Sequence, residues 1–111
     1  MAAVRKLLFV HRLAPLAGQR PAELLEAALI AAAFDQEVHL VFQDDGVWQL
    51  AAQGMGKEAA EELAEMDHVW VEKESLAAQG LTAEDLVIEA KVATRARLAK
   101  LVAGMNAVFA A

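Results

Sequence analysis

Three observations point to a three-layer α/β/α sandwich built on a mainly parallel five-stranded sheet. Short apolar runs rich in β-branched and aromatic residues recur along the chain, and stretches with apolar residues at helical spacing lie between them. The segments joining the runs are long enough for the crossovers that parallel strands require. Alanine is abundant in the helical stretches, which suits close packing of helices on a sheet. At 111 residues the chain is expected to form a single domain over 1–111 with a sizeable core.

The first strand is expected over 4–10 (VRKLLFV), and Pro15 forbids its continuation because proline donates nothing to a ladder. Gly18 and Pro21 bracket a loop, with Pro21 placed to open a helix. Over 22–34, Leu24, Leu25, Ala28, Leu29 and Ala32 form an apolar stripe. Glu23 and Glu26 fall in the first turns, where the helix dipole favours negative charge. The second strand, 37–42, is apolar enough to be covered on both faces. Asp44, Asp45 and Gly46 then supply turn chemistry, and a short irregular helix should follow, ending near residues 53–56.

A second helix is predicted over 57–65 through Ala59, Ala60, Leu63 and Ala64. A brief strand follows at 68–72, then a helix over 75–79 closed by Gly80. Thr82 with Asp85 forms a capping pattern ahead of a fourth strand, Leu86-Val87-Ile88. The last helix is expected over 92–103, ending at Gly104, and a terminal strand over 107–109.

Composition narrows the function. There is no cysteine, which removes disulfides, thiolate chemistry and cysteine zinc sites together. The net charge of −6 argues against a general nucleic-acid binder. Charge is uneven: residues 57–90 carry two basic and ten acidic side chains, whereas residues 91–111 carry four basic and none acidic. The apolar fraction of 58% comes without an uninterrupted segment of membrane-spanning length. The opening MAAVRKLLFVHR lacks a small-residue cleavage site, so a cytoplasmic protein is expected.

Gly54-Met55-Gly56-Lys57 fails as a phosphate loop, which would need glycine at Ala51 and serine or threonine at Glu58. No Rossmann glycine fingerprint follows the first strand. His11, His39 and His68 match no metal-ligand spacing, so neither metal nor cofactor is expected. His39 reads as a satisfied core histidine, and Trp70 as core. The carboxyl ends of the strands are where such folds place sites. There His11 could meet Asp44 and Asp45 in proton-transfer distance, with Glu72, Glu74 and Ser75 on the next stretch of rim. Ser75 lacks a nucleophile elbow. Trp48 is divided between core and interface. Lys91, Arg95, Arg97 and Lys100 read as a solvated side of the last helix.

The order of these motifs resembles the TusC/DsrF branch of the DsrE-like sulfur-relay proteins. LLFVHRLAP, AAAFDQEVHLVFQDDGVWQL, HVWVEKESLAAQGL and the closing AVF strand carry the resemblance over nearly the whole chain. It implies assembly with DsrE/TusD-like and DsrH/TusB-like subunits that pass persulfide sulfur toward transfer-RNA 2-thiouridine or within sulfur oxidation. In the family the sulfur-carrying cysteine belongs to the DsrE/TusD-like subunit, and in related chains it lies just after the third strand, where this chain reads Val71-Glu72-Lys73-Glu74-Ser75. The expected role is therefore a non-catalytic accessory subunit, with Asp44, Asp45, Gly46, Val47, Trp48 and Leu50 as the partner-holding surface. Residues 51–67 are shorter and more acidic than the resemblance leads one to expect. A stand-alone homo-oligomer, or a small-molecule binder using the rim of His11, Asp44 and Asp45, is the rival reading.

Overall fold

Residues 3–51 and 54–111 are described by the computed structural model. The chain runs β1 (Lys6–His11), α1 (Arg20–Ala33), β2 (Glu37–Phe42), a 3-10 turn (Asp44–Gln49), α2 (Lys57–Ala64) and β3 (Val69–Glu72). It continues through α3 (Lys73–Ala78), a second 3-10 turn (Ala83–Asp85), β4 (Lys91–Ala93), α4 (Arg95–Ala103) and β5 (Ala107–Ala110). The strands form one sheet in the order β4-β3-β2-β1-β5, and every ladder in it is parallel.

Alternation along the strands sorts the core into two halves. Phe9, Val38, Leu40, Phe42 and Val71 pack with Leu25 and Ala28 of α1, Leu63 of α2 and Leu76 of α3. On the opposite face Leu8 and Val41 meet Ala93 of β4 and Leu98 of α4. The sheet is thus covered by α1, α2 and α3 on one side and α4 on the other, the predicted sandwich. After Glu37 every residue of β2 is buried, as a central strand demands. Pro21 stands in the first turn of α1, where a missing N–H loses nothing. Beyond the helix Asp35 adopts a φ of 60°, a left-handed conformation that aspartate tolerates better than most residues, and this turns the chain into β2.

The fourth strand is not where the apolar run suggested. Leu86 makes only an isolated antiparallel bridge to Ala51, and Ile88 is buried in the core as part of an irregular segment. The reason is local: the Asp85 carboxylate accepts the Thr82 N–H at 2.8 Å, completing a capping box that curls the chain and cannot feed a parallel strand. Lys91-Val92-Ala93 pairs with β3 instead, Trp70 opposite Lys91 and Glu72 opposite Ala93. The last helix consequently begins at Arg95 and not at residue 92, with Thr94 as N-cap accepting the Arg97 N–H at 3.2 Å. Lys91 therefore lies on an edge strand, apart from the helical basic residues. The irregular helix expected to end near residues 53–56 stops at Gln49, and Ala51 bridges to Leu86 instead; Gln53 lies outside the described residues, and the remaining boundaries move by a residue or two.

Candidate functional site

The carboxyl ends of β1, β2 and β3 meet the 3-10 turn and the start of α4, forming the rim on which site residues were expected. Gln43 is extended, and Asp44 then takes a φ of 51°, another left-handed position suited to aspartate. The Asp44 N–H donates to Ser75 Oγ at 2.8 Å. Ser75 Oγ in turn donates to Glu72 Oε1 at 2.6 Å, and Arg95 Nη2 donates to the same oxygen at 3.0 Å. Glu74 accepts the Arg95 N–H at 3.0 Å, placing a carboxylate at the amino end of α4, where the helix dipole favours it. Three segments distant in sequence, at Asp44, residues 72–75 and Arg95, are tied together by one small polar network.

Glu72 and Ser75 are each only 3% exposed. Burial pushes the Glu72 carboxyl upward, but the hydrogen bonds from Arg95 and Ser75, together with the Arg95 charge, outweigh it and hold the group below its ordinary range. Glu72 is thus a charged carboxylate, bonded twice through Oε1, and a weak base. Ser75 spends its oxygen on the backbone and its proton on Glu72. The network positions the rim and offers no nucleophile. An open groove of about 480 Å³ runs beside it toward α4, lined by Val10, Val41, Asp44, Glu72, Arg95 and Leu98.

His11 does not join Asp44 and Asp45. Its side chain is 1% exposed, stacked on Phe42 with ring centroids 4.5 Å apart, and neither ring nitrogen has a hydrogen-bond partner. Burial lowers its pKa to about 4, so the ring is neutral at pH 7. What reaches the turn is the His11 backbone: its carbonyl accepts the Gln43 N–H at 3.0 Å, and a Cβ on Gly46 would overlap that oxygen. Glycine is required there by close approach of two backbones. The acid–base set expected from the sequence is therefore not assembled.

Of the expected partner surface, Asp44, Asp45 and Trp48 are exposed. Gly46, Val47 and Leu50 are buried inside the chain, so they shape the turn and cannot contact a partner. Trp48 is 38% exposed and donates its Nε1–H to Gln79 Oε1 at 2.9 Å. Gln79 also donates to Asp45 Oδ1 at 3.1 Å, clamping the exposed half of the turn to the end of α3. The buried Gln49 donates to the Leu13 carbonyl at 2.9 Å and ties the turn to the loop after β1. Gln49, Gln79 and Arg95 were missed as rim residues. For Arg95 a signal existed, since a glutamate ending a buried strand must find a cation.

A second cluster lies at the opposite, amino end of the strands. His39 Nε2 and Glu37 Oε2 are 2.9 Å apart, while His39 Nδ1 is buried without a partner, so this core histidine is only half satisfied. Its ring stacks on His68, centroids 4.1 Å apart. The bond from His39 lowers the Glu37 pKa. Burial, followed by the positive charges of His39 and Lys91, lowers that of His68. Trp70 is half-buried, packing against the edge of the second core half, with Lys91 Nζ 5.0 Å and the Arg97 guanidinium carbon 5.9 Å from its ring centroid. Those two cations find a π face instead of water alone.

The fold and rim define the class of the protein: an α/β/α sandwich on an all-parallel five-stranded sheet, in a chain that has no cysteine. Two solved structures share that fold. The ychN protein from E. coli superposes with a TM-score of 0.81 at 17% identity, covering 97% of this chain and 100% of that one. A protein of unknown function from Methanobacterium thermoautotrophicum gives 0.69 at 16% identity, covering 98% and 100%.

The sequence model of the DsrE/DsrF-like family matches residues 5–110, and the chain belongs to that family. It is 38% identical over 94 residues to the intracellular sulfur oxidation protein DsrF of Allochromatium vinosum, spanning 76% of this chain and 69% of that protein. It is 34% identical over 106 residues to a TusC homolog of Vibrio vulnificus, spanning 84% and 87%. Among the described residues no helix is long and apolar enough to cross a membrane.

Proposed function

We propose that this chain is a non-catalytic, cytoplasmic subunit of a sulfur-relay complex, holding a cysteine-bearing DsrE/TusD-like partner beside a DsrH/TusB-like one. The observation that carries the reading is the state of the position just after β3. A sulfur carrier needs a thiolate there. This chain has no cysteine and fills the place with Glu72 and Ser75, buried and bonded to each other and to Arg95. A chain so built can present a rim but cannot accept persulfide sulfur.

The holding surface in this reading is the exposed part of the 3-10 turn, Asp44, Asp45 and Trp48, kept in place by Gln79. The tryptophan supplies an apolar anchor of the kind that dominates interface energies. The resemblance to DsrF and TusC supports membership of such a complex, in sulfur oxidation or in transfer-RNA thiolation.

The test is native mass measured on the chain alone and after co-expression with cysteine-bearing DsrE-like and DsrH-like chains. Co-assembly is expected, and Trp48→Ala should weaken it by at least about tenfold while leaving the isolated chain folded by circular dichroism. A species that ignores those partners would refute the proposal in favour of a stand-alone homo-oligomer. Unfolding of Trp48→Ala would show that the indole is structural.

A further inference from the structure

Glu37 and His39 stand two residues apart on β2 and so project from one face of the sheet. The parallel register that sets Leu40 opposite Val69 brings His68, one residue before β3, alongside His39. One nitrogen from each ring and one Glu37 carboxylate oxygen all lie within 4.8 Å of one another. His39 is 6% exposed; its Nε2 lies 2.9 Å from a Glu37 carboxylate oxygen, and its buried Nδ1 has no protein partner. A buried ring nitrogen left so is unfavourable.

We propose that Glu37, His39 and His68 form a binding site for one divalent transition-metal ion of the zinc type. Two imidazoles and a carboxylate are borderline donors that suit zinc and its neighbours in the first transition row better than magnesium or calcium. Metal–donor bonds of about 2.0–2.2 Å place cis donors about 3 to 3.5 Å apart, so the cluster draws in by about 1 Å or more on binding.

The parts able to move are the right ones. His39 is held inside the sheet, whereas the Glu37 side chain is 35% exposed and His68 is half-buried at a strand entrance. His68 must swing out of its stack, because parallel rings direct their lone pairs side by side and not toward one point. Asp67 adds negative charge next to His68, and the cationic tips of Lys6 and Lys91, which oppose a metal ion, sit on long flexible stems. Solvent completes the coordination. The site lies at the amino ends of the strands, away from the rim, and does not depend on the sulfur-relay reading.

The experiment is calorimetric titration of the intact chain with zinc chloride at pH 7.5, followed by cobalt(II) absorption as a reporter of coordination. One ion per chain is expected, and excess zinc should raise the thermal midpoint. His68→Ala and Glu37→Gln, both at positions with solvent access, should each weaken binding by at least about tenfold and abolish the midpoint shift while keeping the native circular dichroism. Glu58→Gln on α2 should bind as the parent does. Absence of saturable binding, or equal binding by His68→Ala, would overturn the proposal.

Discussion

Replacing His11 with leucine and lowering the pH perturb the same buried ring, and together they test whether it is as dry as its surroundings imply. The ring is 1% exposed and both its nitrogens lack partners. The folded pKa of about 4 lies below the ordinary value of 6.5. Between those values the unfolded chain binds a proton that the folded chain refuses, so stability falls as the pH falls. Above pH 6.5 both states are neutral and the group contributes no pH dependence. The slope is about 1.4 kcal/mol per pH unit, amounting to about 3 kcal/mol by pH 4.

Leucine has nearly the volume of histidine and carries no polar atoms. At pH 7.5 the substitution removes two unsatisfied groups, worth about 1–3 kcal/mol, and loses the stack on Phe42, worth about 0.5–1.5 kcal/mol. His11→Leu should therefore match or modestly exceed the parent at that pH. Urea unfolding followed by tryptophan fluorescence at pH 7.5 and 4.5 measures both. The stability gap in favour of the variant should widen by about 2–3 kcal/mol at the lower pH, because every other titrating group is common to the two chains. A gap that stays constant would mean that the folded chain protonates His11 as readily as water does, and the account of a dry, neutral ring would be wrong.

Two further substitutions test the rim. Gly46→Ala places a methyl group against the His11 carbonyl, backbone against backbone with no side chain able to yield, and should lower stability by about 3 kcal/mol; a drop under about 0.5 kcal/mol in the urea midpoint analysis would show that the turn can lift away. Ser75→Ala leaves the Asp44 N–H without its acceptor and Glu72 without one of its donors, and should lose about 1–3 kcal/mol; no loss would mean that water replaces the hydroxyl in full.

What could be read from the residues alone depended on whether the deciding contact was local. β2 was legible because both faces are covered, which makes the run VHLVF nearly continuous in apolar character. α1 was legible from Pro21 and its stripe. β4 was not: Lys91 and Val92 are exposed, as befits an edge strand, while the more apolar Leu86-Val87-Ile88 is diverted by a four-residue capping box. The rim positions of Glu72 and Ser75 followed from the end of β3, yet their partner Arg95 is 23 residues from Glu72 and meets it only once α4 is laid across the sheet. His39 and His68 looked unrelated for the same reason. Sequence spacing gives no hint of them, and the β2–β3 register alone makes them neighbours.

That network also predicts that placing a thiol after β3 would not make this chain a sulfur carrier. Ser75→Cys puts sulfur into a site that is 3% exposed and already beside the Glu72 carboxylate. Burial and a neighbouring negative charge both disfavour the thiolate, and Arg95, the one nearby cation bonded to the network, is committed to Glu72. A free thiol with a pKa of about 8.5 is about one-tenth ionised at pH 7.5, and raising it by a single unit leaves about one-hundredth. The introduced thiol should thus react with a disulfide reagent at least about tenfold more slowly than free cysteine, with an inflection in its pH–rate profile above 9. Rapid reaction with an inflection below 8 would mean that Arg95 can serve a sulfur anion instead of Glu72. The rim would then be a relay station lacking only its cysteine, and the accessory role would have to be argued from the partner surface alone.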